Sequence, residues 1–227
     1  MIAALLAGRK TQTRRLLGTR NTLFDGRAWP RNLDFADCGT ANAWVDNGPS
    51  PAGNAGPYLK VRWPYGKISG ASGEAADETL VARLYPRTQP GDYLWVKERG
   101  WIWSEGPRYT PYCGNENHGQ LYPADKHRTS IHCPRWASRL TLLVTDVRIE
   151  RVQEISTADC VAEGCPGGHD SIPGYPFSAT PYEQYWKLWE SLHNKPDQRW
   201  ADNPWIIATS FTVELRNIDD VPPTADP

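Results

Sequence analysis

The sequence predicts an α+β fold built around a small, curved or closed β-sheet. Apolar residues alternate with polar ones in the second half of residues 139–152, as they do in half-buried strands, and residues 205–215 are also typical of a strand. Helical spacing is confined to short stretches, and long Gly- and Pro-rich stretches separate these elements. We therefore expect few helices, long loops and a core formed mainly by strands.

The composition is typical of one globular domain with an aromatic core. The 227 residues suffice to bury a core without disulfides or a metal ion, and 11 Trp and 10 Tyr supply large buried areas. The formal net charge of -1 excludes the strongly basic class of sequence-independent polyanion binders. Any contact with a nucleic acid is therefore expected to be local.

The same sequence predicts the compartment. No apolar run approaches the roughly 18 residues of a membrane span, and the five cysteines are odd in number and irregularly spaced. We expect a cytoplasmic protein with reduced thiols, no membrane contact and no cofactor.

The N-terminal element is predicted to be a short helix that ends at Gly8. A basic turn, Gly-Arg-Lys-Thr-Gln-Thr-Arg-Arg, follows it over residues 8–15. A domain rarely begins on a half-finished helix, so we expect further residues upstream. Residues 21–87 are rich in Gly, Pro, Asn, Asp and Ser, which predicts an inserted loop region containing one strand within residues 58–63.

Clearer structure is predicted in the second half of the chain. A turn at residues 89–92 precedes a strand at 93–98, and the most regular strand pattern covers residues 139–152. The stretch between these strands, residues 104–129, is predicted to be a second inserted loop.

Two helices and a final strand complete the predicted domain. Ser156 is suited to begin a helix that Gly164 ends, and Thr180 with Pro181 is suited to begin another. The final strand covers residues 205–215. We predict a single domain over residues 1–218, with residues 219–227 as a disordered tail.

Four blocks of the sequence, in this order, resemble phage and prophage ASCH-domain proteins. They are Leu-Ala-Gly-Arg-Lys-Thr-Gln-Thr-Arg-Arg at 6–15, Pro-Gly-Asp-Tyr-Leu-Trp-Val-Lys-Glu at 90–98, Ser-Ile-His-Cys-Pro-Arg-Trp-Ala-Ser-Arg at 130–139 and Asn-Pro-Trp at 203–205. The resemblance covers roughly half of the chain. It implies a PUA-like small mixed β-barrel with short flanking helices, in which residues 21–87 and 104–129 are insertions. It also implies that the protein, if encoded by a phage, is located in the cytoplasm of the host cell.

One branch of this family hydrolyses the N4-acyl amide of N4-acetylcytidine and carries the motif Gly-Arg-Lys-Thr-x-Thr-x-Arg. By this resemblance Lys10 and Thr13 match the catalytic Lys and Thr, and Glu163 matches the catalytic Glu. A Thr hydroxyl becomes a nucleophile when a neighbouring base takes its proton. We expect Lys10 to be that base, and Glu163 to protonate the leaving amine and later to activate water.

The basic turn also fits other functions. Arg9, Arg14 and Arg15 are predicted to position the ligand, but short basic runs are commonly solvated charge or phosphate-binding patches. Many related proteins bind RNA without hydrolysing anything. Three alternatives to a modified-nucleoside enzyme therefore stay open: a non-catalytic RNA- or DNA-binding module, a ribonuclease, and a phage morphogenesis or host-interaction factor.

Binding of a pyrimidine requires a stacking ring and hydrogen bonds to the edge of the base. Trp95 and Trp136 are the predicted ring residues, although a Trp on a strand is also typical core packing. Lys97 and Glu98 follow a strand, where they are expected either to line the mouth of the cleft or to form an exposed ion pair.

Residue types that bind zinc cluster in the middle of the chain. Cys113, His118, His127, His132 and Cys133 fall within 21 positions. Their spacing is not that of a standard zinc knuckle, and His132 and Cys133 would point to opposite faces of a strand. We therefore predict no metal site; a zinc ion would have to use Cys113, His118, His132 and Cys133.

Overall fold

The computed structural model describes residues 2–18, 20, 22–24, 43–48, 57–62, 81–102, 109–111 and 126–221. Within these ranges the chain forms eleven β-strands and three α-helices. The fold is therefore a mixed α+β arrangement dominated by strands, and the predicted class is confirmed at this level.

The central sheet has four antiparallel strands in the order β1-β11-β10-β6. They are β1 (Gln12–Leu16), β11 (Trp205–Glu214), β10 (Thr141–Arg151) and β6 (Tyr93–Trp95). The long strands β10 and β11 pair along their whole length, with a bulge between Val144 and Asp146. A bulge bends a strand and increases its twist, and this sheet curls into a half-barrel. The strands predicted within 139–152 and 205–215 are confirmed.

A second sheet lies in the segment that the sequence predicts to be an inserted loop region. β2 (Thr22–Phe24), β3 (Ala43–Asp46), β4 (Tyr58–Arg62) and β5 (Val81–Pro86) pair antiparallel in the order β2-β5-β4-β3. The strand predicted within residues 58–63 is confirmed. The prediction of loop for the rest of this segment is wrong at the other three strands.

This second sheet supplies part of the hydrophobic core. Leu59, Val61 and Leu84 have no exposed surface, and they share one core cluster with Val144 and Ile207 of the central sheet. The side chains are few, but each is fully buried. The short strands are therefore held by contacts with the central sheet as well as by their own pairing.

A third sheet has the strand order β8-β7-β9. It consists of β7 (Gly100–Ile102), β8 (Tyr109–Pro111) and β9 (Lys126–Arg128). The predicted loop at residues 104–129 therefore contains two strands. The remainder of that segment lies outside the described residues.

The three α-helices are short. They are α1 (Ile2–Leu6), α2 (Thr157–Ala162) and α3 (Pro181–Leu192). Ser156 and Thr180 cap α2 and α3 as predicted, each accepting a hydrogen bond from the backbone N–H three residues later. In the described part of the chain, every helix is too short or too polar to span a lipid bilayer.

Helices α2 and α3 pack on the end of the central sheet nearest β1. Cys160 of α2, Tyr185 and Trp189 of α3, and Ile206 and Ala208 of β11 belong to one buried cluster. This packing places the end of α2 beside the start of β1.

The chain is ordered beyond the predicted end of the domain. Ile218–Asp220 form a 3-10 turn in which Ile218 is buried, and Asp219 accepts a hydrogen bond from Arg135 at 2.7 Å. The prediction of a disordered tail from residue 219 is therefore wrong for residues 219–221. Residues 222–227 lie outside the described residues.

Replacement of Leu59 by Ala tests whether the second sheet is part of the core. We expect Leu59→Ala to lower the free energy of unfolding by about 2–4 kcal/mol, because it leaves a cavity at a fully buried site. The matched control is Leu215→Ala at a side chain that is 71% exposed, with an expected loss under about 0.5 kcal/mol. Urea unfolding followed by Trp fluorescence measures both. Equal, small losses would mean that this segment is a loop outside the core.

Candidate functional site

The backbone turn between α1 and β1 directs the Lys10 side chain toward the interior of the protein. Gly8 adopts a φ of +66°, a left-handed conformation that glycine accommodates without strain. The backbone N–H groups of Arg9 and Lys10 then both donate to the carbonyl of Ala4, at 2.8 and 3.1 Å. The Lys10 residue that follows this turn is only 8% exposed.

Lys10 is in direct contact with Glu163, the C-terminal cap of α2. Its Nζ donates to Glu163 Oε2 at 2.5 Å and to the Glu163 backbone carbonyl at 2.8 Å. The backbone N–H of Thr11 also donates to the carbonyl of Ala162 at 2.8 Å, which ties the turn to the end of α2. Two residues that the family resemblance assigns to one site are thus hydrogen-bonded to each other.

Arg14 lies in strand β1, and its side chain has no exposed surface. The prediction that Thr13, Arg14 and Arg15 belong to a turn is wrong, because β1 begins at Gln12. Arg14, which is predicted to position the ligand, lines the cavity described below. Its guanidinium is buried and its charge is already balanced by carboxylates.

Three carboxylates surround the Arg14 guanidinium. Its nitrogens lie 2.9 Å from Glu150 of β10, 3.3 Å from Asp159 of α2 and 3.6 Å from Glu163. Arg148 joins the same group through Asp159 at 3.0 Å. We call the resulting set the charge cluster: Lys10, Arg14, Arg148, Glu150, Asp159 and Glu163. It contains three cations and three carboxylates, so its charges balance when all are ionised.

The pKa values of Asp159 and Glu163, the two carboxylates that α2 and its C-terminal cap supply, are shifted in opposite directions. Burial alone raises the pKa of Asp159, but the hydrogen bond from Ser156 and the charge of Arg14 outweigh it and lower this pKa to about 2. Burial dominates at Glu163 and raises its pKa above the ordinary value, despite the opposing effects of Lys10 and Arg14. A carboxyl with a raised pKa accepts a proton more readily than an ordinary carboxyl, as a general acid or base must.

One oxygen of Glu163 has no hydrogen bond within the described residues. Glu163 Oε1 is buried, and Arg14 Nη1 lies 3.6 Å away, beyond hydrogen-bond distance. The backbone N–H of Arg14 also interacts with this carboxyl and lowers its pKa, but it makes no hydrogen bond of ordinary geometry to Oε1. A buried polar atom without a partner is costly, and native structures rarely keep one without a reason. The other oxygen, Oε2, is occupied by Lys10.

A cavity of about 740 Å³ opens beside Glu163. Lys10, Thr13 and Arg14 line it from the N-terminal segment, and Tyr185, Leu188 and His193 line it from α3 and the residue that follows. The volume lies in the range of small-molecule sites. The structure therefore brings Lys10, Thr13 and Glu163 to a single cavity.

The cavity also contains a thiol that is not suited to nucleophilic attack. Cys165 lines the wall, and burial raises the pKa of both Cys165 and nearby Cys160 to about 11. Only the thiolate is nucleophilic, and a thiol with this pKa is protonated at neutral pH. The Ser and Thr hydroxyls that line the cavity are those of Thr13, Ser171 and Ser191. The hydroxyls of both serines donate to backbone carbonyls, those of Gly168 and Leu188, and Thr13 is the nucleophile that the family resemblance implies.

The other residues predicted to bind a ligand are not among the described residues that line this cavity. Trp95 is half-buried, with Lys97 Nζ 4.9 Å from its ring centroid. Trp136 is 52% exposed in a 3-10 turn. Glu98 is buried and pairs with Arg139 at 3.0 Å, so it neither lines this cavity nor forms an exposed ion pair with Lys97.

Arg9 and Arg15 remain exposed. Arg9 lines a smaller neighbouring cavity together with Ala158 and Val161 of α2. These two arginines, unlike Arg14, are accessible to an anionic ligand.

The structure also reveals site residues that the sequence reasoning missed. Glu150 and Asp159 neutralise Arg14, and Tyr185 lines the cavity although its spacing predicts only core packing. The signal for Glu150 was present in the second half of β10, where Asp146, Arg148 and Glu150 are charged residues at alternate positions.

The zinc hypothesis cannot be completed from the described residues, in which no group of three or more potential ligands is suited to a metal ion. His132 ends a 3-10 turn and Cys133 is buried after it, so the prediction that both lie on a strand is wrong. Cys113 and His118 lie outside the described residues.

Comparison of the chain with models of protein families, with curated proteins and with solved structures finds no match in any of the three. The function of the site is therefore inferred from its own residues and from the motif.

The pH dependence of stability tests the charge cluster. Because the pKa of Asp159 is lowered in the folded state, its ionised form stabilises the fold above about pH 4, and this contribution is lost as the pH falls toward 2. We expect Asp159→Asn to destabilise the protein strongly at pH 7 and much less at pH 2.5. Chemical unfolding at both pH values measures the difference. Asp219→Asn, at an exposed ion pair, is the control and should show a small loss at pH 7. A pH-independent effect of Asp159→Asn would contradict the assignment.

Proposed function

We propose that this protein is an ASCH-type enzyme with a PUA-like barrel, which binds a modified cytosine nucleoside in the cavity beside Glu163 and hydrolyses its N4-acyl amide. The observation that carries the proposal is the 2.5 Å contact between Lys10 Nζ and Glu163 Oε2 at the wall of a cavity that Thr13 also lines. Acyl transfer requires a nucleophile and groups that move its proton, and the Thr13 hydroxyl with the buried Lys10–Glu163 pair can supply them.

The contact refines the role of Lys10. Because Lys10 Nζ is hydrogen-bonded to the Glu163 carboxylate, Lys10 is placed to relay a proton to Glu163. Thr13 Oγ1 attacks the acyl carbon while its proton passes to Lys10, and Lys10 passes a proton to Glu163 Oε2 across their contact. The raised pKa of Glu163 favours this transfer.

The same pair then releases both products. Protonated Glu163 gives its proton to the N4 nitrogen as the C–N bond breaks, which releases cytidine and leaves an acyl ester on Thr13. Water attacks the ester carbonyl and its proton passes to Glu163. The Thr13 oxygen recovers a proton through Lys10 as the ester bond breaks, so the carboxylic acid leaves and the site returns to its starting state.

Turnover of N4-acetylcytidine tests this proposal. We expect the wild type to release cytidine, and Lys10→Met, Glu163→Gln and Thr13→Ala each to lower kcat by roughly 10²- to 10⁴-fold, since each removes a proton-transfer group or the nucleophile. Thr13→Ser should retain activity because it keeps the hydroxyl. Cytidine release is followed by liquid chromatography.

The matched control is Lys195→Met at an exposed lysine outside the cavity lining, which should leave kcat unchanged. No cytidine release from the wild type would remove the hydrolase proposal. Full activity of Thr13→Ala would instead mean that the nucleophile is a water molecule activated by Lys10 and Glu163.

The exposed positions of Arg9 and Arg15 favour one second candidate, a non-catalytic RNA- or DNA-binding module. For this function we expect binding of single-stranded RNA that weakens with salt, and a shallower salt dependence in the Arg9→Ala/Arg15→Ala variant, since fewer counterions are released. Fluorescence anisotropy measures both. The same slope in wild type and variant would exclude these arginines as phosphate contacts. Shortening of the labelled RNA would indicate a ribonuclease.

A further inference from the structure

Two polar groups belong to residues that line the cavity wall, Glu163 Oε1 and the Tyr185 hydroxyl. Within the described part of the chain Glu163 Oε1 is buried and makes no hydrogen bond, and Glu163 is 7% exposed. Tyr185 lines the same cavity from α3 and is 3% exposed. The proposed reaction uses neither Glu163 Oε1 nor the Tyr185 hydroxyl.

The ring of Tyr185 is fixed in position by its neighbours. It packs at 71° against Trp200 with ring centroids 6.1 Å apart, and at 42° against Trp189 with centroids 6.2 Å apart. Such aromatic contacts hold a ring in one orientation. The hydroxyl is therefore presented at a defined place in the cavity wall.

The Tyr185 hydroxyl keeps its proton and lies near Glu163. Burial is the main reason that the pKa of Tyr185 is raised, and the negative charge of Glu163 is the second. The group is therefore a hydrogen-bond donor at any physiological pH. Glu163 Oε1, by contrast, is an acceptor while the carboxyl is ionised.

The charges around these groups balance. Lys10, Arg14 and Arg148 offset the three carboxylates of the charge cluster, so the cluster leaves no unbalanced positive charge beside Glu163. Lys187 of α3 also lines the cavity, but it is exposed. A group that enters beside Glu163 should be neutral, because an added charge at a desolvated site would have no partner.

We propose that Tyr185 is a ligand-binding residue, and that the cavity selects a neutral group with a hydrogen-bond donor beside an acceptor, the donor bonding Glu163 Oε1 and the acceptor bonding the Tyr185 hydroxyl. An amide or the amino edge of an aminopyrimidine has this arrangement. The inference rests on the cavity being the site of the proposed function, but it concerns binding and does not require hydrolysis.

Binding of two cytosine nucleosides, measured by isothermal titration calorimetry, tests the inference. Cytidine carries N4–H donors beside the N3 acceptor, whereas N4,N4-dimethylcytidine has no N4–H donor. We expect the wild type to bind cytidine at least tenfold more tightly than the dimethylated nucleoside, since the latter leaves Glu163 Oε1 without a partner. Equal affinities, or no binding of cytidine, would overturn the inference.

Tyr185→Phe removes the hydroxyl and keeps the ring that packs on Trp200 and Trp189. We expect it to weaken cytidine binding roughly three- to tenfold, as loss of one neutral hydrogen bond does, with an unchanged unfolding temperature. Tyr182→Phe is the matched control on the same helix. Its ring also packs on Trp200, at 5.4 Å, but Tyr182 does not line the cavity, so its cytidine affinity should equal that of the wild type.

The outcomes separate this inference from the proposed hydrolysis. Binding that depends on Tyr185 without release of cytidine from N4-acetylcytidine would support this inference and remove the hydrolase. Release of cytidine by a Tyr185→Phe variant whose affinity for cytidine equals that of the wild type would overturn this inference alone. If Tyr185→Phe does not fold, the comparison of the two nucleosides on the wild type decides.

Discussion

Burial of the cations Lys10 and Arg14 is the constraint around which the site is organised. A cation removed from water costs several kcal/mol unless a carboxylate and further hydrogen bonds compensate it. Strand β10 supplies one such carboxylate through Glu150, and helix α2 supplies Asp159 and Glu163. The ion pairs therefore fix α2 against the start of β1. Helix α3 packs on α2 and closes the far side of the cavity.

These ion pairs leave one oxygen of Glu163 without a hydrogen bond among the described residues, and this oxygen bears on function. Lys10 occupies one oxygen of Glu163, and the other oxygen is buried at the cavity wall without a hydrogen-bond partner among the described residues. Stability alone would favour a satisfied or an apolar core. A buried carboxylate with a raised pKa, a lysine in contact with it and a neighbouring hydroxyl are instead an arrangement suited to moving protons. This arrangement supports the hydrolase proposal more than the basic run does.

The sequence predicted the parts of the fold that are fixed locally. Strands β10 and β11 are long enough for their residue patterns to identify them, and the Ser156 and Thr180 caps act within one helical turn. Three of the four short strands between residues 22 and 86 were missed because the few apolar residues of this sheet are stabilised by contacts distant in sequence. For the same reason Arg14 was expected to be exposed. The carboxylates that permit its burial lie 136 or more positions away along the chain.

The measurement that tests the central claim most directly is a crystal structure of the Thr13→Ala variant with N4-acetylcytidine, because this variant should bind the nucleoside without forming the acyl ester. The account predicts the pyrimidine in the cavity between β1 and α3, with its N4 nitrogen at roughly 3 Å from Glu163 Oε1. A nucleoside stacked on Trp95 or Trp136 instead, with the cavity beside Lys10 and Glu163 unoccupied, would contradict it.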